Sequence, residues 1–256
     1  MARYRELQVV GGLRGVVRPP LDLIVLLAVL FTTFAAQFFA STAWIPSGLR
    51  LGPALWEHLA LWQLATYAVT GFGAPDFWFV LELIILYFFA RDVRRWLGPR
   101  RFWVVSLGVA VVSAVAAVAV ALLAPTAVAS AGMPFQLMQG QRLLTVIMLA
   151  AFGALAGDAT VLLFFVLPVP ARIFPAIALV LGFVAYLSTR DLAGLVGIVV
   201  ATAATWTWLQ RGGVGPTLRR LRMRAVRSWT RWRLSRLQRR RGWRVLDGGK
   251  GGPTVH

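Results

Sequence analysis

Residues 102–123, FWVVSLGVAVVSAVAAVAVALL, run for 22 positions without a charged side chain. A helix rises about 1.5 Å per residue, so ~20 apolar residues cross the ~30 Å hydrocarbon core of a bilayer. The run therefore reads as a membrane-spanning helix, and shorter apolar runs on either side of it extend that reading to a multi-pass protein. Working outward, spans are expected at 21–40, 77–90, 102–123, 143–157, 174–187 and 192–209. The first is followed by a loop, 41–76, dense in Trp, Pro and Gly (Trp44, Pro46, Gly48, Gly52, Pro53, Trp56, Trp62). Trp at this density suits a membrane–water boundary, so an interfacial, partly embedded loop is expected there. The stretch 161–174 is apolar but contains Pro168 and Pro170. Proline removes a helical donor and stops or kinks the helix, which places this stretch at the interface ahead of span five.

Composition agrees with a bilayer as the main partner. Hydrophobic residues make up 59% of the chain and charged residues 14%, against about 25% charged in soluble domains. Cys is absent, which excludes disulfides, thiolate metal sites and Cys nucleophiles. No cofactor and no metal site is expected.

The net charge of +18 is unevenly placed. Residues 210–256 hold 14 basic side chains against Asp247 alone. Segments 1–20, 91–101 and 210–256, with Arg172, gather 24 of the 27 basic residues on one face of a six-span topology. Arg50, Arg142 and Arg190 are left on the other. By the positive-inside bias both termini are cytoplasmic, and a bacterial inner membrane is the expected location. The domain reading is a basic N-terminus, 1–20, a six-span membrane domain, 21–209, and an Arg-rich tail, 210–256, disordered at its end.

In the tail, Leu218, Leu221, Ala225, Trp229 and Trp232 recur at helical spacing. Arg219, Arg220, Arg222, Arg224, Arg227, Arg231 and Arg233 fill the other faces. A basic amphipathic helix of this kind lies in anionic headgroups. The same residues suit a membrane-protein partner, and nucleic acid is the weaker alternative. Gly153-x-x-x-Gly157 and Gly194-x-x-Gly197 offer small helix faces for close packing within the chain, or between copies. Asp22, Asp76 and Asp158 fall at span ends, where solvation or helix capping is expected.

The order of these parts resembles the rhomboid family of intramembrane serine proteases. Trp62-Gln63-Leu64-Ala65-Thr66-Tyr67 is similar to the family's W-[RQ]-x-x-T-[YS] before its second helix. The segment 89–102, FARDVRRWLGPRRF, resembles the family's G-x-x-x-E-x-x-x-G-x-x-[RK]-F, with Gly98 and Phe102 in place. VLLFFVLPVPAR, 161–172, is similar to the apolar-Pro-Val-x-Ala-[KR] entry to helix five. Asp191, Gly194 and Gly197 resemble the H-x-x-G-x-x-x-G of helix six. The likeness spans roughly residues 20–210 and implies an all-α, six-helix membrane bundle.

It also implies a lost catalytic centre. The family's G-x-S-G nucleophile falls at Gln141 or Arg142, its helix-six His at Asp191, its oxyanion-supporting Asn at Glu82, and the Glu of the 91–101 segment at Arg94. A Ser–His dyad needs a hydroxyl, a base to take its proton, and donors for the developing charge. His58 lies in the first loop and His256 ends the chain, so neither stands in helix six. A residual enzyme reading would use Thr145 or Ser188, without a base. The resemblance thus implies a pseudoprotease, not an enzyme. Its expected role is an accessory subunit of a larger membrane complex, or alternatively a client-binding protein that shields or hands over transmembrane helices.

A mid-span carboxylate is costly and should be protonated, paired, or part of a proton or ion path. Glu82, Arg142 and Asp191 map onto the three corners of the former catalytic centre. They are expected to converge as an ion-pair network.

Overall fold

The structure is a computed structural model describing residues 20–124, 134–157, 159–163 and 167–210. Residues 1–19 of the basic N-terminal segment, Asp158 and residues 211–256 of the tail, including Arg219, Arg220, Arg222, Arg224, Arg227, Trp229, Arg231, Trp232 and Arg233, lie outside the described residues.

Helix α1 spans Leu21–Ala36. The first loop folds into three short helices, α2 (Trp44–Leu49), α3 (Ala54–Glu57) and α4 (Gln63–Thr66), the last running into a 3₁₀ turn at Tyr67–Val69. Then follow α5 (Phe77–Leu97), α6 (Pro99–Leu123) and, after a 3₁₀ turn at Gln136–Met138, α7 (Gly140–Leu155). A two-stranded antiparallel pair, β1 (Thr160–Leu163) and β2 (Leu167–Pro170), precedes α8 (Phe174–Thr189) and α9 (Leu192–Gln210). The chain is thus mostly helical. Pro99–Leu123, Ala171–Thr189 and Leu192–Gln210 are long and apolar enough to cross a membrane, while Leu21–Ala36 and Gly140–Leu155 are apolar but shorter. Helix α5 has the length but carries Glu82, Arg91, Asp92, Arg94 and Arg95.

Two boundaries differ from the sequence reading. The basic segment after position 90 is helix, not loop, and α5 continues to Leu97. Val93 is buried beneath it. Arg94 Nε lies 2.7 Å from Asp22 Oδ2, which also accepts from Trp103 Nε1 at 3.1 Å. Asp22 is therefore paired across the helices, and it ties α1, α5 and α6 at one end of the bundle. Gly98, at φ +74°, stops α5, and Pro99 opens α6 directly; glycine past the end and proline at the start are the residues those positions favour. The second difference lies at 160–170. The proline-containing stretch expected only as an interfacial passage pairs with itself, with Leu162 opposite Pro168. An edge strand tolerates a residue that cannot donate to the ladder.

Helix α7 is the hub. Eleven of its 16 residues are buried, and Arg142, Thr145 and Leu149 share a partly exposed strip. It packs on α5, α8 and α9; a helix with so wide a buried face belongs inside. Helix α9 lies along α6, where Ala110, Ala114, Ala117 and Ala121 face inward with Gly194, Gly197 and Ala201 of α9. A Cβ on Gly197 would meet Met138 Sδ at 2.5 Å, and one on Gly153 would meet the Pro175 ring at 2.6 Å. These glycines serve packing inside the chain. Ser106, Ser113, Thr202 and Thr205, buried among the small residues, each donate to the carbonyl four residues back, so none is left unpaired in an apolar setting.

Candidate functional site

At the end of the bundle away from Asp22, the chain Gly71-Phe72-Gly73 is stitched between α1 and the start of α7. On the α1 side, Gly71 N donates to Thr33 Oγ1 at 2.8 Å, and Gln37 Nε2 donates to the Gly73 carbonyl at 3.1 Å. Gly71 must be glycine: a Cβ there would sit 2.1 Å from the Leu30 carbonyl oxygen.

On the other side stands the corner where the resemblance placed a nucleophile. Gly140 has φ +53°, and a Cβ on it would lie 2.1 Å from the Thr70 carbonyl oxygen. Only glycine meets both demands. The next residue, Gln141, is fully buried, at 0% exposure. Its Nε2 donates to the Phe72 carbonyl at 2.6 Å and to Glu82 Oε2 at 2.7 Å, while its Oε1 accepts from Phe72 N at 3.2 Å. The amide thus pairs with the Phe72 backbone as a neighbouring strand would, and spends its remaining donor on a carboxylate. Arg142 Nε lies 3.5 Å from Glu82 Oε1, and the two side chains are 34% and 32% exposed. Both oxygens of Glu82 are engaged, one by a neutral amide and one by a guanidinium.

Asp191 stands apart. It is 1% exposed, and its carboxylate accepts from three backbone groups: Gly194 N at 2.8 Å, Leu137 N at 3.0 Å and Phe135 N at 3.2 Å. No ion pair joins it to Arg142 among the described residues. The expected three-way network is therefore two separate devices. Glu82 and Arg142 come together with Gln141 between them. Asp191 caps α9, where the helix N-terminus favours an anion, and clamps the turn that leads into Gln139 and Gly140. Phe135, in the clamp, takes φ +63° without being glycine, a conformation that the Asp191 bond to its N–H helps hold.

The Trp62-Gln63-Leu64-Ala65-Thr66-Tyr67 stretch has a local physical role. Trp62 Nε1 and Gln63 Nε2 donate to the Gly48 carbonyl at 3.1 and 3.3 Å, Gly52 N donates to Gln63 Oε1 at 3.2 Å, and Thr66 Oγ1 donates to the Leu49 carbonyl at 2.9 Å. Tyr67, fully buried, donates to the Ala110 carbonyl at 2.7 Å and pins the loop to α6. One side chain after another satisfies the turn at 48–52 that no helix or strand satisfies.

No family model, no curated protein and no solved structure matches the chain.

Thr145 Oγ1 donates to the Gln141 carbonyl at 2.8 Å and Ser188 Oγ to the Ala185 carbonyl at 2.8 Å. Among the described residues, neither hydroxyl is bonded to an acid or an imidazole. His58 is exposed on the first loop. No three His, Cys, Asp or Glu side chains gather as metal ligands among the described residues. The arrangement supplies one partly buried acid, held by an amide and a guanidinium, and a fixed backbone loop; among the described residues no hydroxyl there is bonded to an acid or an imidazole.

Sequence reasoning passed over Gln141 in favour of its neighbour. The signal was available: in α7 the buried positions 140, 141, 143, 144, 147 and 148 form one face, on which 142 does not lie. The Asp22–Arg94–Trp103 clamp was missed because its members are separated by 72 and 81 positions.

Proposed function

We propose that this chain is a rhomboid-like, six-span membrane protein without protease chemistry, serving as an accessory subunit of a larger membrane complex. Both termini face the cytoplasm, and the membrane is a bacterial inner membrane. The observation that carries the reading is Gln141: a fully buried amide, bonded to Phe72 and Glu82, fills the corner where a nucleophile would stand. Support for a partner comes from α8, whose Val180, Leu181, Phe183, Val184 and Leu187 are each more than half exposed, and from the Arg-rich tail. Support for the topology is the charge placement. Arg50, Arg142 and Arg190 fall at the end of the bundle with the Phe72 loop, and Arg91, Arg94, Arg95, Arg100 and Arg101 at the other. The alternative, a client handler for transmembrane helices, draws on α7, which at 16 residues is about 24 Å long and short of the hydrocarbon core.

The test is purification of the full chain in mild detergent with quantitative mass spectrometry of co-eluting proteins. A subunit brings one partner set at fixed stoichiometry. Many substoichiometric partners indicate a client handler, and the chain alone in every gentle detergent contradicts both.

A further inference from the structure

We propose that Arg50, assisted by Arg142, forms a binding site for a phosphate group at the membrane interface. Both guanidiniums gather on one aromatic ring: their central carbons lie 4.7 Å (Arg50) and 5.8 Å (Arg142) from the Phe72 centroid. Two cations share that ring, and only one of them, Arg142, has an acid beside it. Glu82 Oε1 lies 3.5 Å from Arg142 Nε, and no carboxylate pairs with Arg50 among the described residues. Of the Arg50 nitrogens, Nη2 donates to Gln37 Oε1, Nε is covered without a partner, and Nη1 bonds to no described residue. Half-burial pulls the Arg50 pKa below the ordinary guanidinium value, and an anion beside it would offset that desolvation. A guanidinium presents a planar fork of donors that fits phosphate oxygens.

The position in the fold selects the anion. Along the chain Arg50 falls between Trp44 and Trp62, both largely exposed, in a loop whose Leu59 and Leu61, with Phe38 and Phe39 just ahead of it, are also exposed. Exposed indoles beside apolar side chains mark headgroup depth, where the abundant anion is the lipid phosphate. The site is thus read as binding a phosphodiester headgroup or, by the same chemistry, free phosphate. It stands whether or not the chain is a subunit of a complex.

The test is native mass spectrometry of the full chain in detergent, titrated with phosphatidylglycerol, diacylglycerol or inorganic phosphate. It is run on the native tail and on a background with Arg219, Arg220, Arg222 and Arg224 changed to Gln, so that lipid held by the tail is separated. Phosphatidylglycerol should bind in both backgrounds and diacylglycerol in neither. Arg50→Gln should weaken the tail-independent binding about tenfold, the loss of roughly one charge-assisted contact, and Arg50→Lys should restore part of it. Glu82→Gln, which releases Arg142 from its acid, should tighten binding, a gain that a misfolded variant cannot produce. Saturation by inorganic phosphate alone would assign the site to the free ion. Equal binding by native and Arg50→Gln chains, or retention of diacylglycerol at the same level, overturns the proposal.

Discussion

Gln141, Glu82 and Arg142 form one unit, and their energetics should show it. Replacing Gln141 by Leu strands the Phe72 N–H and carbonyl and one Glu82 oxygen inside the protein. Unsatisfied buried groups cost about 1–3 kcal/mol each and relax in part, so Gln141→Leu should lower stability in detergent by about 2–4 kcal/mol. The Glu82–Arg142 pair is a third exposed and worth less: Arg142→Met should cost about 1 kcal/mol, and Glu82→Gln in that background should recover part of it. Asp191→Asn keeps one acceptor oxygen but sets an NH2 against one of the three backbone donors and should cost about 1–3 kcal/mol. Its loss should add to that of Arg142→Met within about 0.5 kcal/mol, since the two share no partner. A denaturant-unfolding cycle checks all three, and strong coupling between Asp191 and Arg142 would rejoin what the geometry separates. At this scale the sequence shows which residues are out of place in an apolar span, because charge there is conspicuous. It does not show their partners: Asp191 is one step from a helix start, and capping was the available alternative to an ion pair.

Helix positions in apolar runs were legible from hydropathy alone, because a run like 102–123 has few other folds. Ends were not. Helix α5 continues through Arg91, Arg94 and Arg95 because Asp22, on a distant helix, receives one of them, and hydropathy cannot see a distant carboxylate. The pairing of 160–163 with 167–170 was hidden for a related reason: Pro168 and Pro170 argue against helix without arguing for a partner strand. Close helix contacts follow from small residues and make a sharp prediction. Gly197→Leu forces atoms into Met138, where a Cβ already lies 2.5 Å from sulfur. Overpacking of that kind costs about 1–3 kcal/mol, so the variant should melt lower in detergent. The exposed Val199→Leu on the same helix serves as a control with no change. Equal melting of both would mean that α9 does not press on the turn at Gln136–Met138.

For the whole molecule, charge is the organising asymmetry. The tail carries 14 basic residues against Asp247, and exposed charges are screened within about 8 Å at physiological ionic strength. Changing Arg219, Arg220, Arg222 and Arg224 to Gln should weaken association with anionic liposomes in low salt, or release a partner. A tail that serves only as a topology signal would change neither. The central proposal is that the corner where the rhomboid resemblance places a nucleophile serves as structure here, and fluorophosphonate labelling of the full chain in native membranes tests it most directly. The account predicts no labelling, with an active serine hydrolase labelled in the same membranes. Labelling that disappears on Thr145→Val or Ser188→Ala would contradict it.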